Sequence, residues 1–207
     1  MSIKNFISRA GIFPLSLYAV FFILVWIFYS FSWVLFFLFL LLLWIYKNPE
    51  RIALYDDKKA ILSPIDAELL SIKQIIHHDF GECIELNFKN AFYQNGTIRA
   101  SLDMQIQEIK ARHGLFLSPK FDLPLHLNER LLIIAQNKEK RKFGLRICAG
   151  CLDRKIKFYN NSTEFKGGEE LGFSVNGIIS LLLPKDTAIK IGVGDSVKAC
   201  SLIGYFS

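Results

Sequence analysis

Residues 167–184 read Gly-Gly-Glu-Glu-Leu-Gly-Phe-Ser-Val-Asn-Gly-Ile-Ile-Ser-Leu-Leu-Leu-Pro. Gly167-Gly168 marks a turn, and Ile178–Leu183 is a short apolar run closed by Pro184. A run of that length, bounded by turn residues, predicts a buried strand. The same pattern recurs throughout the chain after Pro49. Strands are expected at Glu68–Ile76, Cys83–Phe88, Met104–Ala111, Arg130–Ala135, Phe143–Ala149, Lys155–Tyr159 and Ala188–Ile191. No long segment carries a 3.6-residue apolar period, so the fold class is mainly β with antiparallel strands. Asn160-Asn161 and Gly192-Val-Gly194-Asp195 mark further turns, and Lys138-Glu139-Lys140-Arg141-Lys142 reads as a solvated turn between strands.

The region before Pro49 is of another kind. Gly11–Tyr46 holds 36 residues without a charge, which as one helix would extend about 54 Å, against a hydrocarbon core of roughly 30 Å. Two arms, 11–28 and 32–46, broken at Tyr29-Ser30-Phe31-Ser32, fit better. Lys4 and Arg9 flank one end; Lys47, Arg51, Lys58 and Lys59 flank the other. Cations on both flanks predict a transmembrane helical hairpin with both ends on the cytoplasmic side of the cell (inner) membrane. Trp26, Trp33 and Trp44 are candidate interfacial anchors. A secretory signal is excluded by the length of the apolar stretch and by the missing cleavage site. The domains expected are therefore a membrane anchor over 1–46 and a β domain over 47–207.

Net charge is +6. Lys4 and Arg9 supply two of those charges, leaving +4 dispersed over the β domain. That excess suits an anionic lipid surface, at roughly 1 kcal/mol per cation, and it is too scattered for nucleic acid. Cys83, Cys148, Cys151 and Cys200 form no disulfide framework. In a regular strand through Leu145–Tyr159, Cys148 and Cys151 would project to opposite faces. They read as small buried residues, and no metal is expected.

Several segments, in order, resemble the phosphatidylserine decarboxylase proenzymes. Lys47-Asn48-Pro49-Glu50-Arg51 is similar to the family's aromatic-Arg-Asp-Pro-Glu-Arg junction, and Ser63-Pro64-Ile65-Asp66-Ala67 to its Ser-Pro-Ala-Asp-Gly. Gly114–Ser118 with Asn128-Glu129-Arg130, Ala149-Gly150 with Arg154-Lys155-Ile156, and Gly194-Asp195-Ser196-Val197 resemble three more. Residues 168–184 look like the family's self-cleavage region. Thr187–Ile191 with Gly194–Ala199 also resembles the closing hairpin of barrel-sandwich domains, without the lysine that a lipoyl carrier needs at its tip.

The resemblance implies a chemistry. In the family a serine following a glycine breaks its own backbone and becomes a pyruvoyl group. That ketone serves as electron sink for decarboxylation of the substrate amine. A histidine held by an aspartate activates the serine. On this chain Asp66 matches the aspartate, and Asn95 stands at the histidine position. The serine position falls on Gly177 or Ile178. An amide cannot act as general base near neutral pH. Ser174 and Ser180 are each about three residues off register; Ser174 is the fallback nucleophile, although an odd shift along a strand reverses the face. His77-His78-Asp79 reads as a solvated turn, and His113 and His126 as loop residues. Arg99, Glu129 and Arg130 are the candidate lipid-binding residues, Arg99 because a guanidinium binds phosphate bidentately.

The expectation is a degenerate family member: uncleaved, with no pyruvoyl cofactor, binding membrane aminophospholipid or associating with an active decarboxylase or a second copy. Two alternatives stand beside it. One is an active decarboxylase with a rearranged processing site and therefore a pyruvoyl group; the other is a membrane adaptor whose barrel-sandwich domain binds protein partners.

Overall fold

A computed structural model describes residues 6–51, 57, 59–117, 127–151, 153, 155–159 and 162–206. Lys4, Lys58, Ser118, His126, Arg154 and the Asn160-Asn161 turn lie outside the described residues. The chain divides into two compact units, Met1–Glu50 and Arg51–Ser207.

The first unit is a pair of helices, α1 (Arg9–Phe28) and α2 (Trp33–Ile45). Ser8 caps α1 through its side chain, which accepts from Ala10 N. The chain reverses over 29–32, the uncharged Tyr-Ser-Phe-Ser break. The arms run antiparallel: the Tyr18 hydroxyl donates to Leu35 O at 3.0 Å, and Ser8 N donates to Tyr46 O at 2.9 Å. Tyr18 also stacks on Phe39, and Phe31 meets Trp26 and Trp33 edge-on at the tip. Gly11 is required here, because a Cβ would fall on the Tyr46 ring. By length and composition α1 is apolar enough to cross a membrane, at 20 residues. α2 has 13 residues, about 20 Å of helix, which is short of a full crossing.

The second unit is antiparallel β throughout its named strands. They are β1 (Ala60–Leu62), β2 (Ala67–His77), β3 (Gly81–Lys89), β4 (Thr97–Arg99), β5 (Met104–Arg112), β6 (Arg130–Gln136), β7 (Lys142–Cys148), β8 (Lys157–Phe158), β9 (Glu164–Phe165), β10 (Glu170–Phe173), β11 (Ile178–Pro184), β12 (Ala188–Ile189), β13 (Ser196–Val197) and β14 (Leu202–Tyr205). Eight of them form one sheet in the order β13-β2-β3-β11-β7-β6-β5-β9; β1-β14-β12 and β4-β10-β8 form two smaller sheets. β11 is central, paired with β3 on one side and β7 on the other. Ile178–Leu183 are buried on both faces of the strand, which explains why the run is largely apolar rather than alternating.

One face of the large sheet carries the core. Leu86 and Phe88, Ile133, Leu145 and Ile147, and Ile179, Leu181 and Leu183 pack there with Ile98, Leu171 and Ile203 from the smaller sheets and with Phe206 just beyond β14. The other face carries a polar row. Arg146 pairs with Glu85 and donates to the Ser180 hydroxyl at 3.1 Å. Ser180 donates to Asn87 at 2.6 Å, and Asn87 to Ser71 at 3.1 Å.

Three expectations need correction. The Leu145–Tyr159 run is not one strand. β7 ends at Cys148, and Gly150 passes so close to the Val175 and Asn176 backbone that no Cβ fits. Cys148 is therefore buried while Cys151 sits exposed in the following turn. Nor do residues 187–199 form a hairpin: β12 pairs with β14, and β13 with β2. The Lys138–Lys142 turn reading fits, whereas His77 is not part of a solvated turn: it ends β2, half-buried against the Phe80 ring. Lys138–Arg141 links β6 to β7 with Lys140 at φ 61°, and His78-Asp79 links β2 to β3, where Asp79 pairs with Lys110 at 2.5 Å. That pairing draws the Asp79 carboxyl below its usual range, and burial chiefly lowers His77.

Candidate functional site

The site is built around the linker from β10 to β11, residues Ser174–Gly177, and its hub is Asn90. That residue follows β3, where the strand has just left the ladder and its polar groups need new partners. Asn90 N donates to Gly177 O at 3.0 Å, and its Oδ1 accepts from Asn176 N at 3.2 Å. Its Nδ2 donates to Asp66 O at 2.8 Å and to Asn95 O at 2.9 Å. One buried amide thus joins the segments entering β2, leaving β3, entering β4 and entering β11.

Asp66 and Asn95 are brought together by the Asn90 amide, which binds the backbone carbonyl of each. The Asp66 carboxylate accepts from Arg51 Nη2 at 2.6 Å and Ala199 N at 2.7 Å. Asn95 is buried, and its Oδ1 accepts from Thr97 N at 2.6 Å. That is an Asx-type brace two residues on, a common use of Asn at the head of a strand. Ser180, by contrast, belongs to the polar row within the sheet.

On the other flank of the linker stands a carboxylate that sequence reasoning missed. Asp153 is half-buried and accepts the Ser174 hydroxyl at 2.5 Å, Gly150 N at 3.0 Å and Val175 N at 2.8 Å. Burial pushes its carboxyl above the ordinary aspartate range, against the opposing effect of those hydrogen bonds. No spacing rule marks Asp153. Its only signal is the Gly-x-x-Asp pattern at 150–153, in which the side chain folds back on the turn.

Ser174 does not behave as an out-of-register strand residue. The chain between Phe173 and Ile178 is a linker, with Ser174 N donating to Gly96 O at 2.9 Å and Asn176 at φ 58°. The hydroxyl consequently comes beside Gly177: a Cβ there would lie 2.5 Å from Ser174 Oγ and 2.7 Å from Cys148 O. Any side chain at 177 is excluded by that approach. Ile178 opens β11 opposite Lys89 and Cys148, with only 4% of its surface exposed. Asn176 Nδ2 lies 3.0 Å from the Cys151 thiol.

The remaining candidates surround this cluster. Arg99 is buried in β4 and donates to Gly168 O at 2.9 Å. Glu129 Oε1 accepts from Ile156 N at 3.3 Å, and Oε2 lies 3.6 Å from His113 Nδ1. Ala149 N donates to Glu129 O, and the Asn128 amide bridges Leu117 O and Ala149 O. Arg130 opens β6 opposite Cys148 and Arg112. Cys200 lies near Arg99, Arg51 and Asp66, its thiol raised by burial. Among the described residues no group of three His, Cys, Asp or Glu side chains could hold a metal. A cavity of about 590 Å³, lined in part by Asp103, Gln105, Lys138, Glu164 and Lys166, shares no residue with the cluster.

The chain is thus an apolar helical hairpin followed by an antiparallel β unit, with a braced linker before a central strand. The phosphatidylserine decarboxylase family model matches residues 38–205, and the chain belongs to that family. It is similar to the phosphatidylserine decarboxylase proenzyme of Syntrophus aciditrophicus, 29% identical over 161 residues that cover 75% of each chain. The corresponding proenzyme of Desulfotalea psychrophila is 29% identical over 162 residues, 76% of this chain and 75% of the relative. That of Carboxydothermus hydrogenoformans is 26% identical over 155 residues, 73% and 72% of the two chains. No solved structure matches.

Proposed function

We propose that this chain is a membrane-bound, uncleaved relative of the decarboxylases that binds aminophospholipid, alone or beside an active relative, on the cytoplasmic side. The observation that carries this is the chemistry at the Gly177-Ile178 pair. Ser174 Oγ and Cys148 O close the space at Gly177, which fits the glycine of a Gly-Ser pair, so the serine position falls on Ile178. An isoleucine offers no nucleophile there, and Asn95 offers an amide engaged with Thr97 N instead of a base. Pyruvoyl is not expected to form.

Lipid recognition draws on the Arg51–Asp66 pair. Arg51 Nε is buried and has no acceptor among the described residues, leaving a donor for a phosphate oxygen. Asp66 holds the Arg51 guanidinium in place at 2.6 Å. Arg99, Glu129 and Arg130 belong to the same proposed headgroup region. The test is binding of the full chain in mixed micelles to spin-labelled phosphatidylserine, phosphatidylethanolamine and phosphatidylcholine, with carbon dioxide release measured in parallel. The proposal expects preference for the two aminophospholipids, loss of that preference in Arg51→Ala, and no release. Equal binding of all three lipids, or release above background, contradicts it.

A second reading is favoured by the Ser174–Asp153 contact. A half-buried carboxylate with raised proton affinity, hydrogen-bonded to a buried hydroxyl, is a base and nucleophile pair. Asp153 would take the Ser174 proton as Oγ attacks the Phe173 carbonyl, exchanging the amide for an ester. Elimination then frees residues ending at Phe173, and hydrolysis of the new N-terminal imine releases ammonia and leaves a pyruvoyl group at 174. Ser174→Ala abolishes cleavage in this reading and is silent in the first.

A further inference from the structure

We infer that the β3–β4 turn carrying Phe92 and Tyr93 inserts into the lipid interface and holds the candidate site at headgroup depth. The inference rests on the membrane-bound reading above. Phe92 and Tyr93 are 53% and 57% exposed, and their rings meet edge-to-face with centroids 5.4 Å apart. Two adjacent exposed aromatics on a soluble surface lose free energy to water. At a membrane interface, one apolar and one amphipathic ring suit the headgroup boundary.

The turn is built to present them. Gln94 N donates to Ala91 O at 2.9 Å, and Ala91 N to Gln94 Oε1 at 2.8 Å. Both bonds close the turn behind the rings. Its base is Asn90 and Asn95, and the Asn90 amide ties Asn95 O and Asp66 O to Asn176 N of the linker, so the turn is coupled to the site through that one side chain. The occupant is a bilayer because of the covalent tether. Only five residues of chain, at most about 20 Å extended, separate Ile45, the last residue of α2, from Arg51. Arg51 is itself bonded to Asp66 at 2.6 Å, and Asp66 O to Asn90 at 2.8 Å. A bilayer that receives the apolar helices is therefore within reach of this turn.

The test is photocrosslinking of the full chain in phosphatidylcholine nanodiscs, with p-benzoylphenylalanine at position 92, 93 or 76. Ile76 is 84% exposed and lies toward the other end of the β2–β3 hairpin, about 26 Å along the strand. Peptides containing 92 and 93 are expected to gain the mass of one phospholipid, at least fivefold more often than the peptide containing 76. Equal labelling at 76, no lipid adduct at 92 and 93, or crosslinking to a second copy overturns the inference. Because these discs lack aminophospholipid, adducts report depth alone. A failed headgroup preference therefore leaves this result standing, whereas a chain that does not enter the discs overturns the membrane reading and this inference together.

Discussion

Asp66 and Asp153 both serve the Ser174–Gly177 linker, and they do so in opposite ways. Asp66 sits in the recognisable Ser-Pro-Ile-Asp segment, yet its carboxylate is taken up by Arg51 and Ala199 N, and it reaches the linker only through its backbone and Asn90. Asp153 belongs to no motif residue, yet it touches the linker directly through Ser174 and Val175. The retained motif residue has become an anchor for the chain entering β2. The unmarked residue has the environment of a reactive group. Position in a family motif and direct contact with the linker have separated here.

The largest expected effect comes from removing the direct carboxylate. Asp153→Ala strands the Ser174 hydroxyl and the Gly150 and Val175 amides in a buried site. A loss of about 3–5 kcal/mol is expected, read by urea unfolding of the full chain in micelles; a loss under about 1 kcal/mol breaks the comparison. The same residue gives a pH signature. Its folded-state affinity for a proton is raised, so between the usual aspartate range and the raised value the native state binds more protons than the unfolded state. Stability from this group therefore falls as pH rises through that window and is regained on acidification. Measured against Asp153→Asn, which does not titrate, wild type should gain relative stability as pH drops. A relative loss means that Asp153 is stabilised as an anion.

Crowding at Gly177 comes next. Gly177→Ala should cost about 2–3 kcal/mol, since neither Cys148 O nor the linker can retreat freely. Adding Ser174→Ala removes one of the two collisions, and the double variant should be less destabilised than the sum by about 1 kcal/mol. Strict additivity would separate the two residues. Asp66→Ala is the mildest. Both partners of its ion pair are partly exposed, at 24% and 14% of their side-chain surface, so about 1 kcal/mol is expected. A cost equal to that of Asp153→Ala would erase the contrast between the two carboxylates.

Long strands and the helical hairpin were legible because their patterns are local. β2, β3, β5, β6, β7 and β11 each carry an apolar run bounded by turns, and the break at 29–32 is written in its polar residues. The two- to four-residue strands β1, β4, β9, β10, β13 and β14 were not legible, because tertiary pairing alone makes them strands. Phosphatidylserine decarboxylase membership was legible from ordered segments, several of which meet at Asn90 and Asn128. What the sequence hid was the conformation of residues 174–177. The two-residue alternation assumed a continuous strand, whereas Asn176 in the left-handed region and the closed space at Gly177 bend the linker until Ser174 lies beside Gly177. Asp153 was hidden for the same reason, since its partners exist only once that linker has folded.

The central claim is that no peptide bond between Gly172 and Leu181 is broken by the chain itself. An intact-mass spectrum of the purified protein tests it. The account predicts one species at 23.8 kDa; a C-terminal fragment beginning in that segment with a pyruvoyl group at its head contradicts it.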